Sequence, residues 1–323
     1  MLPRSLHDLP TPAVVVEADR LEANLRAMAA LCARYGVRLR PHVKTHKCVP
    51  LARRQIELGA VGLSAAKVSE ARVFTDAGLD DVLVAYPLRG DKVAALRALD
   101  ATVSTLVDDE AGVDALAAGW AGAARPLGVA VKVDVGLGRV GVPWDRPERV
   151  LALARRIEAA QSLRFWGLVT HAGQAYRAPD AEAVAAVGRH EGDAMAQVAQ
   201  HLRGAGQRVP CVSVGSTPTA RFAVARPGVD ELRPGVYVFH DAQQVALGAA
   251  TWADCALTVL TTVVSRGDDR RAICDAGSKT FSSDRGAHGT DRVPFGVLPD
   301  VPGLGLVGLS EEHGWLRAEA AGA

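Results

Sequence analysis

The sequence predicts an α/β protein: a (β/α)8 TIM barrel followed by a second, all-β domain. Three observations carry that reading. Eight strand-like segments alternate with helical patterns between Val37 and Val238. No GxGxxG follows the first of them, where the alternative, a doubly wound open sheet, usually carries one. After residue 240 the helical texture gives way to β-branched and then Gly/Pro-rich sequence.

In chain order, Thr11–Glu17 is a short apolar strand. It precedes the barrel, and a lone strand needs a sheet, so it is assigned to the β domain. Asp19-x-x-Glu22 is an acidic capping pattern that opens a helix, with Leu21, Leu25, Met28 and Cys32 as its apolar stripe. The barrel strands are predicted at Val37–Lys44, Val61–Ala66, Asp81–Tyr86, Thr102–Val107, Val129–Val135, Phe165–His171, Cys211–Gly215 and Glu231–Val238. Helices between them include Pro50–Leu58, with proline tolerated in the first turn, and Val68–Ala77. Another runs from Ala181 to Leu202, with Met195, Val198 and Leu202 at helical spacing. The helix after Cys211–Gly215 is short. Thr251–Arg266 reads as one long β-branched stretch and Arg271–Asp275 as a further strand. The domains are thus 18–245 for the barrel and 1–17 plus 246–323 for the β domain.

Composition narrows the function classes. Of 323 residues 49% are hydrophobic and 23% charged, and the formal net charge is +1, so a sizeable core is available. No basic excess steers the chain to nucleic acid or to an anionic membrane. Neither a signal peptide nor a membrane span is read, and the expected compartment is the cytoplasm. Cys32, Cys48, Cys211, Cys255 and Cys274 are scattered without a CxxC, which predicts free thiols and no cysteine-based metal site.

The first barrel strand carries the chemical signal. Arg38, Arg40, His42 and Lys44 share one face; Leu39, Pro41 and Val43 share the other. If the ionisable face lines the barrel, cationic neighbours lower the pKa of Lys44 and free its amine as a nucleophile. Barrel enzymes work at the carboxyl ends of their strands. Those ends hold Lys44, Asp134–Arg139, His171–Tyr176, Gly215–Thr219 and Arg233–Tyr237, with His240 and Asp241 following. Gly215-Ser216-Thr217 before a helix start forms a phosphate cradle, although alone either hydroxyl is an N-cap and Gly235 a turn glycine. A nucleophilic lysine opposite a phosphate cup points to pyridoxal 5'-phosphate. Arg139 and Tyr176 are then candidates for the polar edge of its ring, and His171 for orienting a neighbour. His7, His190, His201 and His288 read as surface residues.

Arg40-Pro41-His42-Val43-Lys44-Thr45-His46-Lys47 resembles the pyridoxal-lysine motif of the D-threonine aldolase and D-serine dehydratase family. The resemblance runs on through Val133–Gly136 with Arg139–Gly141, His171–Gly173 with Tyr176, Val214–Thr219, Glu231–Tyr237, Asp275–Lys279 and Leu309–Gly314. It implies an alanine-racemase-type barrel with a β domain and Lys44, not Lys47, as the Schiff-base lysine. It further implies phosphate contacts at Gly215, Ser216, Thr217, Gly235 and Tyr237, ring contacts at Arg139 and Tyr176, and a homodimer. His42, Asp241 and His313 are the candidates for contact with substrate, a small D-amino acid. The family's lyases use a divalent metal (Mn, Zn or Mg), held by a Pro-Asn-His-x-Cys or Pro-Asn-His-x-Asp segment after the Glu-Glu-His-Gly motif. No such segment follows Glu311-Glu312-His313-Gly314, so no metal ligand is assigned and the C-terminal end reads as truncated.

The implied activity is a pyridoxal-phosphate-dependent lyase acting on D-β-hydroxy amino acids, an aldolase or a dehydratase. Two alternatives stand beside it. A racemase needs a second base, commonly a tyrosine of the β domain, and no tyrosine follows Tyr237. A non-catalytic pyridoxal-phosphate-binding protein needs only Lys44 and the cup.

Overall fold

The structure, a computed structural model, describes residues 5–268, 270–284 and 295–318. His288, the side chain of His7 and part of the Gly/Pro-rich stretch lie outside the described residues. The chain forms two compact units, Leu25–Val238 and a second made of residues up to Asn24 and from Phe239 onward. The division falls further inside the barrel sequence than the pattern places it. Asn24 donates to the Asp254 carbonyl at 2.8 Å, and Ala256 donates to Phe239 at 2.7 Å, so these residues side with the β unit.

The chain opens with β1 (Ala13–Val16) and α1 (Ala18–Tyr35). Asp19 therefore lies in the first turn of α1, where an acid favours the helix dipole, and is not its cap. The barrel strands follow as β2 (Arg38–Leu39), β3 (Leu63–Ala65), β4 (Val82–Pro87), β5 (Val103–Val107) and β6 (Leu127–Asp134). After a short β7 (Val142–Pro143) come β8 (Leu163–Val169), β9 (Val212–Val214) and β10 (Glu231–Leu232). Between them run α2 (Val49–Glu57), α3 (Val68–Asp76), α4 (Asp91–Arg97), α5 (Glu110–Gly119), α6 (Pro147–Ala159), α7 (Ala181–Gly204) and the four-residue α8 (Ala220–Ala223). All eight barrel strands are parallel, in the order β2-β10-β9-β8-β6-β5-β4-β3, and a bridge from His42 to Ser64 returns the sheet on itself.

Strand alternation sorts the side chains. On β6, Val129, Val131 and Val133 face the helices and join the main apolar core. Ala130 faces inward with Leu83, Leu106 and Val169, which form a small apolar plug. Other inward positions are polar or charged, among them Ser213, Arg40 and Glu231. Arg40 is 3% exposed and Glu231 0%, and the Arg40 Nε donates to the Glu231 carboxylate at 3.0 Å. The same guanidinium forks onto Asp81 at 2.8 and 3.1 Å and stacks 5.5 Å from the Trp166 ring. A buried ion pair of this kind is held by multiple bonds that offset desolvation.

In the β unit α9 (Ala242–Ala246) precedes β11 (Leu257–Leu260), and β1 pairs antiparallel with β11, Ala13 opposite Leu260. The N-terminal strand thus belongs to the β unit, as its isolation in the sequence predicts. After β12 (Val263–Asp268) and β13 (Arg271–Cys274) come α10 (Ser278–Phe281), β14 (Gly296–Val297), β15 (Leu304–Leu309) and β16 (Gly314–Ala318). These strands form an antiparallel sheet ordered β12-β13-β16-β15-β14 over a core of Cys274, Ala276, Leu306 and Leu316. The stretch Thr251–Arg266 is not one strand. Asp254 accepts the Thr251 amide and hydroxyl, each at 2.7 Å, closing a turn before β11. Asp275 then accepts the Thr261 hydroxyl and the Thr262 amide at 2.7 and 2.8 Å, breaking β11 from β12. All five cysteines are free thiols.

Candidate active site

The first strand stops short of Lys44. Backbone bonds to strand eight continue to His42, whose amide donates to the Pro234 carbonyl at 2.9 Å. His42 then caps a 3-10 turn over Val43–Thr45, its Nδ1 accepting the Lys44 amide at 3.3 Å. The regular alternation predicted through Lys44 therefore ends at His42, because an imidazole acceptor captures the amide two residues on. The Lys44 side chain is exposed to solvent at the barrel's carboxyl end. The protein crowded around its ammonium nevertheless lowers its pKa, helped by Arg139 and opposed by Glu70. Its Nζ has no hydrogen-bond or ion-pair partner among the described residues. Lys47 differs: it pairs with Glu70, which also accepts the Ala66 amide at 2.8 Å. Of the two lysines only Lys44 has an uncommitted amine.

The ends of strands seven and eight lie against this turn. Gly235 comes so close that an added Cβ would sit 3.0 Å from both the His42 carbonyl and the Thr45 hydroxyl. Gly215, at φ +122°, approaches the strand-eight backbone, where a Cβ would stand 3.1 Å from the Arg233 nitrogen. Both glycines are thus required by close approach. The amides of Thr217, Gly235 and Val236 have no acceptor among the described residues. The Ser216 hydroxyl lies 2.9 Å from that of Thr219, and the Tyr237 amide donates to the Thr217 hydroxyl at 3.1 Å. Three unmatched N–H donors beside two hydroxyls fit a phosphate.

The remaining ring candidates sit on adjoining loops. Asp134 accepts the amides of Gly136, Leu137 and Gly138 at 2.9 to 3.1 Å, and so shapes the loop that presents Arg139. The Arg139 guanidinium has no hydrogen-bond partner among the described residues and acts electrostatically on Lys44, Lys132 and His171. Tyr176 is buried in a 3-10 turn over Gly173–Arg177. His171 Nδ1 lies 3.1 Å from the Gly215 carbonyl; burial first, then Lys44, keeps its pKa well below the ordinary range. His42 is lowered the same way. Both imidazoles are thus neutral, with the His42 proton on Nε2 because Nδ1 accepts the Lys44 amide, and the His171 proton on Nδ1 because the Gly215 carbonyl can only accept.

Other predicted residues take different places. The Tyr237 ring is buried and its hydroxyl receives the Gln55 amide at 2.8 Å, so its amide faces the cup and its phenol does not. Asp241 caps α9, accepting the Gln244 amide at 2.8 Å, and burial raises its pKa. His313 is exposed before β16, its carbonyl accepting the Ser310 amide at 2.9 Å. Asp241 and His313 both belong to the β unit.

Two site residues escape the sequence reading. Lys132, 6% exposed on the inner face of β6, donates to the Val133 carbonyl at 2.9 Å; burial and then Arg233 bring its pKa to about 7. A lysine inside an otherwise apolar strand was the available signal. Glu191 is 0% exposed and accepts the Gly215 and Ala172 amides at 3.0 and 3.1 Å and the Thr219 hydroxyl at 2.9 Å. Its signal is a carboxylate within the buried stripe Val184, Gly188, Glu191, Met195, Val198, Leu202 of α7.

Residues 16–243 match the family model of the alanine racemase N-terminal domain, and 256–323 match that of a putative serine dehydratase domain. The chain belongs to the alanine racemase N-terminal domain family. Among relatives, it is 38% identical to the D-threo-3-hydroxyaspartate dehydratase of Delftia sp. over 98% of this chain and 86% of that one. It is 36% identical to a D-threonine aldolase of Arthrobacter sp. over 96% of this chain and 80% of that one. The crystal structure of D-threonine aldolase from Filomicrobium marinum superposes with a TM-score of 0.88 at 34% identity, over 97% of this chain and 84% of that one. This family's barrel with a β domain is the fold predicted above. Among the described residues no group of three or more His, Cys, Asp or Glu could hold a metal, and no helix is long and apolar enough to cross a membrane.

Proposed function

We propose that the chain is a pyridoxal-phosphate-dependent lyase acting on D-β-hydroxy amino acids, with Lys44 as the amine that holds the cofactor. The observation that carries this reading is the pairing of an uncommitted, pKa-lowered Lys44 amine with the unmatched amides of Thr217, Gly235 and Val236 at the same end of the barrel. The relatives named above, a dehydratase and an aldolase acting on such substrates, support it.

When bound, pyridoxal phosphate supplies an aldehyde carbon for an amine and a ring that takes up electron density from a bond breaking at Cα. The amides of Thr217, Gly235 and Val236 with the Ser216 hydroxyl would hold the phosphate, the Tyr237 amide bracing the Thr217 hydroxyl and Gly215 shaping the loop. Arg139 and Tyr176 would border the ring, and an arginine cation at its nitrogen would disfavour protonation there and so moderate the electron sink. The Lys44 amine, with its lowered pKa, is placed to hold or accept a proton. His171 donates from Nδ1 to the Gly215 carbonyl, which leaves its Nε2 as the acceptor nitrogen, whereas the His42 Nδ1 is taken by the Lys44 amide and its Nε2 carries the proton. Among the described residues no three His, Cys, Asp or Glu side chains converge to hold a divalent metal.

The same reading places the enzyme in the cytoplasm, supported by five free thiols, and makes it a homodimer, supported by Val263, Val264, Val307 and Trp315 exposed on the β unit. Incubation with D-threonine, D-serine and 3-hydroxy-D-aspartate, with and without Mn2+ or Zn2+, tests the activity. Glycine with an aldehyde marks an aldolase; a 2-oxo acid with ammonia marks a dehydratase. Absence of any product under every metal would contradict the proposal.

A further inference from the structure

A chain of hydrogen bonds joins the turn after strand one to the turn after strand eight. The Cys48 amide donates to His46 Nδ1 at 3.0 Å, so that nitrogen carries no proton. Burial lowers the His46 pKa to about 4, which keeps the ring neutral with its proton on Nε2. Nε2 lies 3.3 Å from the Gln55 Oε1 and must donate to it. The Gln55 amide is thereby oriented, and its Nε2 donates to the Tyr237 hydroxyl at 2.8 Å. Gln55 is itself 1% exposed, and its bond to Tyr237 is buried, shielded from water.

His46 stands two residues after Lys44, and Tyr237 two residues after Gly235. The same turns also meet where Gly235 packs on His42 and Thr45. We propose that Gln55 is a positioning residue that fixes the span between the Lys44 amine and the phosphate cup. It touches neither cofactor nor substrate. It holds the two loops that must engage one ligand at both of its ends, so that the covalent bond to Lys44 forms without strain at the phosphate. The proposal rests on the assignment of Lys44 and the cup above.

The test compares two ligands on the same protein. Pyridoxal phosphate uses both lysine and cup. Its 4-methyl analogue, 4-deoxypyridoxine 5'-phosphate, lacks the aldehyde and uses the cup alone. The dissociation constant of the analogue divided by that of pyridoxal phosphate, read by fluorescence or ultrafiltration, reports how well lysine and cup are matched. In Gln55→Leu this ratio should fall about tenfold while the analogue binds nearly as before. Tyr237→Phe removes one oxygen and should lower the ratio similarly. The double variant should fall no further than either single one, because both cut the same link. An unchanged ratio in both variants, or equal weakening of both ligands, overturns the proposal. Failure of the Lys44 assignment shows separately: Lys44→Ala would then leave the wild-type ratio intact.

Discussion

Glu191 accepts the Gly215 amide at 3.0 Å. The glycine that opens the phosphate loop is thus held from behind by a carboxylate on α7, and its amide is turned away from any phosphate. The same carboxylate also takes the Ala172 amide, joining the His171 loop to the cup. Burial raises the Glu191 pKa, while the Gly215, Thr219 and Ala172 donors act against that rise.

Replacing Glu191 by leucine should leave two buried amides without acceptors, at about 1–3 kcal/mol for each. Glu191→Gln keeps one carbonyl for them and should be milder. Urea unfolding of the cofactor-free protein checks this. A leucine variant as stable as the glutamine variant would contradict the role assigned to Glu191.

The charge of Arg139 helps depress the Lys44 amine. In Arg139→Ala that repulsion is gone, so the Lys44 pKa should rise and less free amine exist near neutral pH. The pH at which covalent attachment of the cofactor is half-complete should move upward. Stopped-flow absorbance across pH follows it; an unmoved midpoint would mean that Arg139 does not act on Lys44.

Acid stability follows from the histidines. Burial holds the His42 and His171 pKa values well below 6.5 and brings His46 to about 4. In the unfolded chain they protonate near the ordinary value, so below it the unfolded state binds more protons than the folded one. Stability should therefore be full above pH 6.5 and decline as pH falls toward 4. Thermal unfolding of the cofactor-free protein at stepped pH should show this decline. In His46→Gln its slope should lessen by about one proton. An equal slope in that variant would rule out His46 as a contributor.

The sequence made the barrel legible because eight strands in order need only alternation and turn residues to be seen. It also exposed Lys44, Arg139 and the Gly215 loop, since each stands at a strand's carboxyl end. The turn that carries Lys44 was hidden: it arises from the His42 ring capturing an amide, a side-chain contact invisible to strand periodicity. Tyr237 misled in another way. Position along the chain placed it beside the cup, but the rotation of its ring into the Gln55 bond depends on a helix 182 positions away. Glu191 and Lys132 broke the apolar pattern of α7 and β6 openly, because a charge is kept inside a buried stripe only where partners or function hold it.

The Lys44 amine, and no other, is expected to carry the cofactor. Borohydride reduction of the protein loaded with pyridoxal phosphate, followed by peptide mass mapping, locates the attachment. A reduced pyridoxyl adduct should appear on the peptide containing Lys44 and be absent from Lys44→Ala. An adduct on Lys47 or Lys132, or none in the wild-type protein, would contradict it.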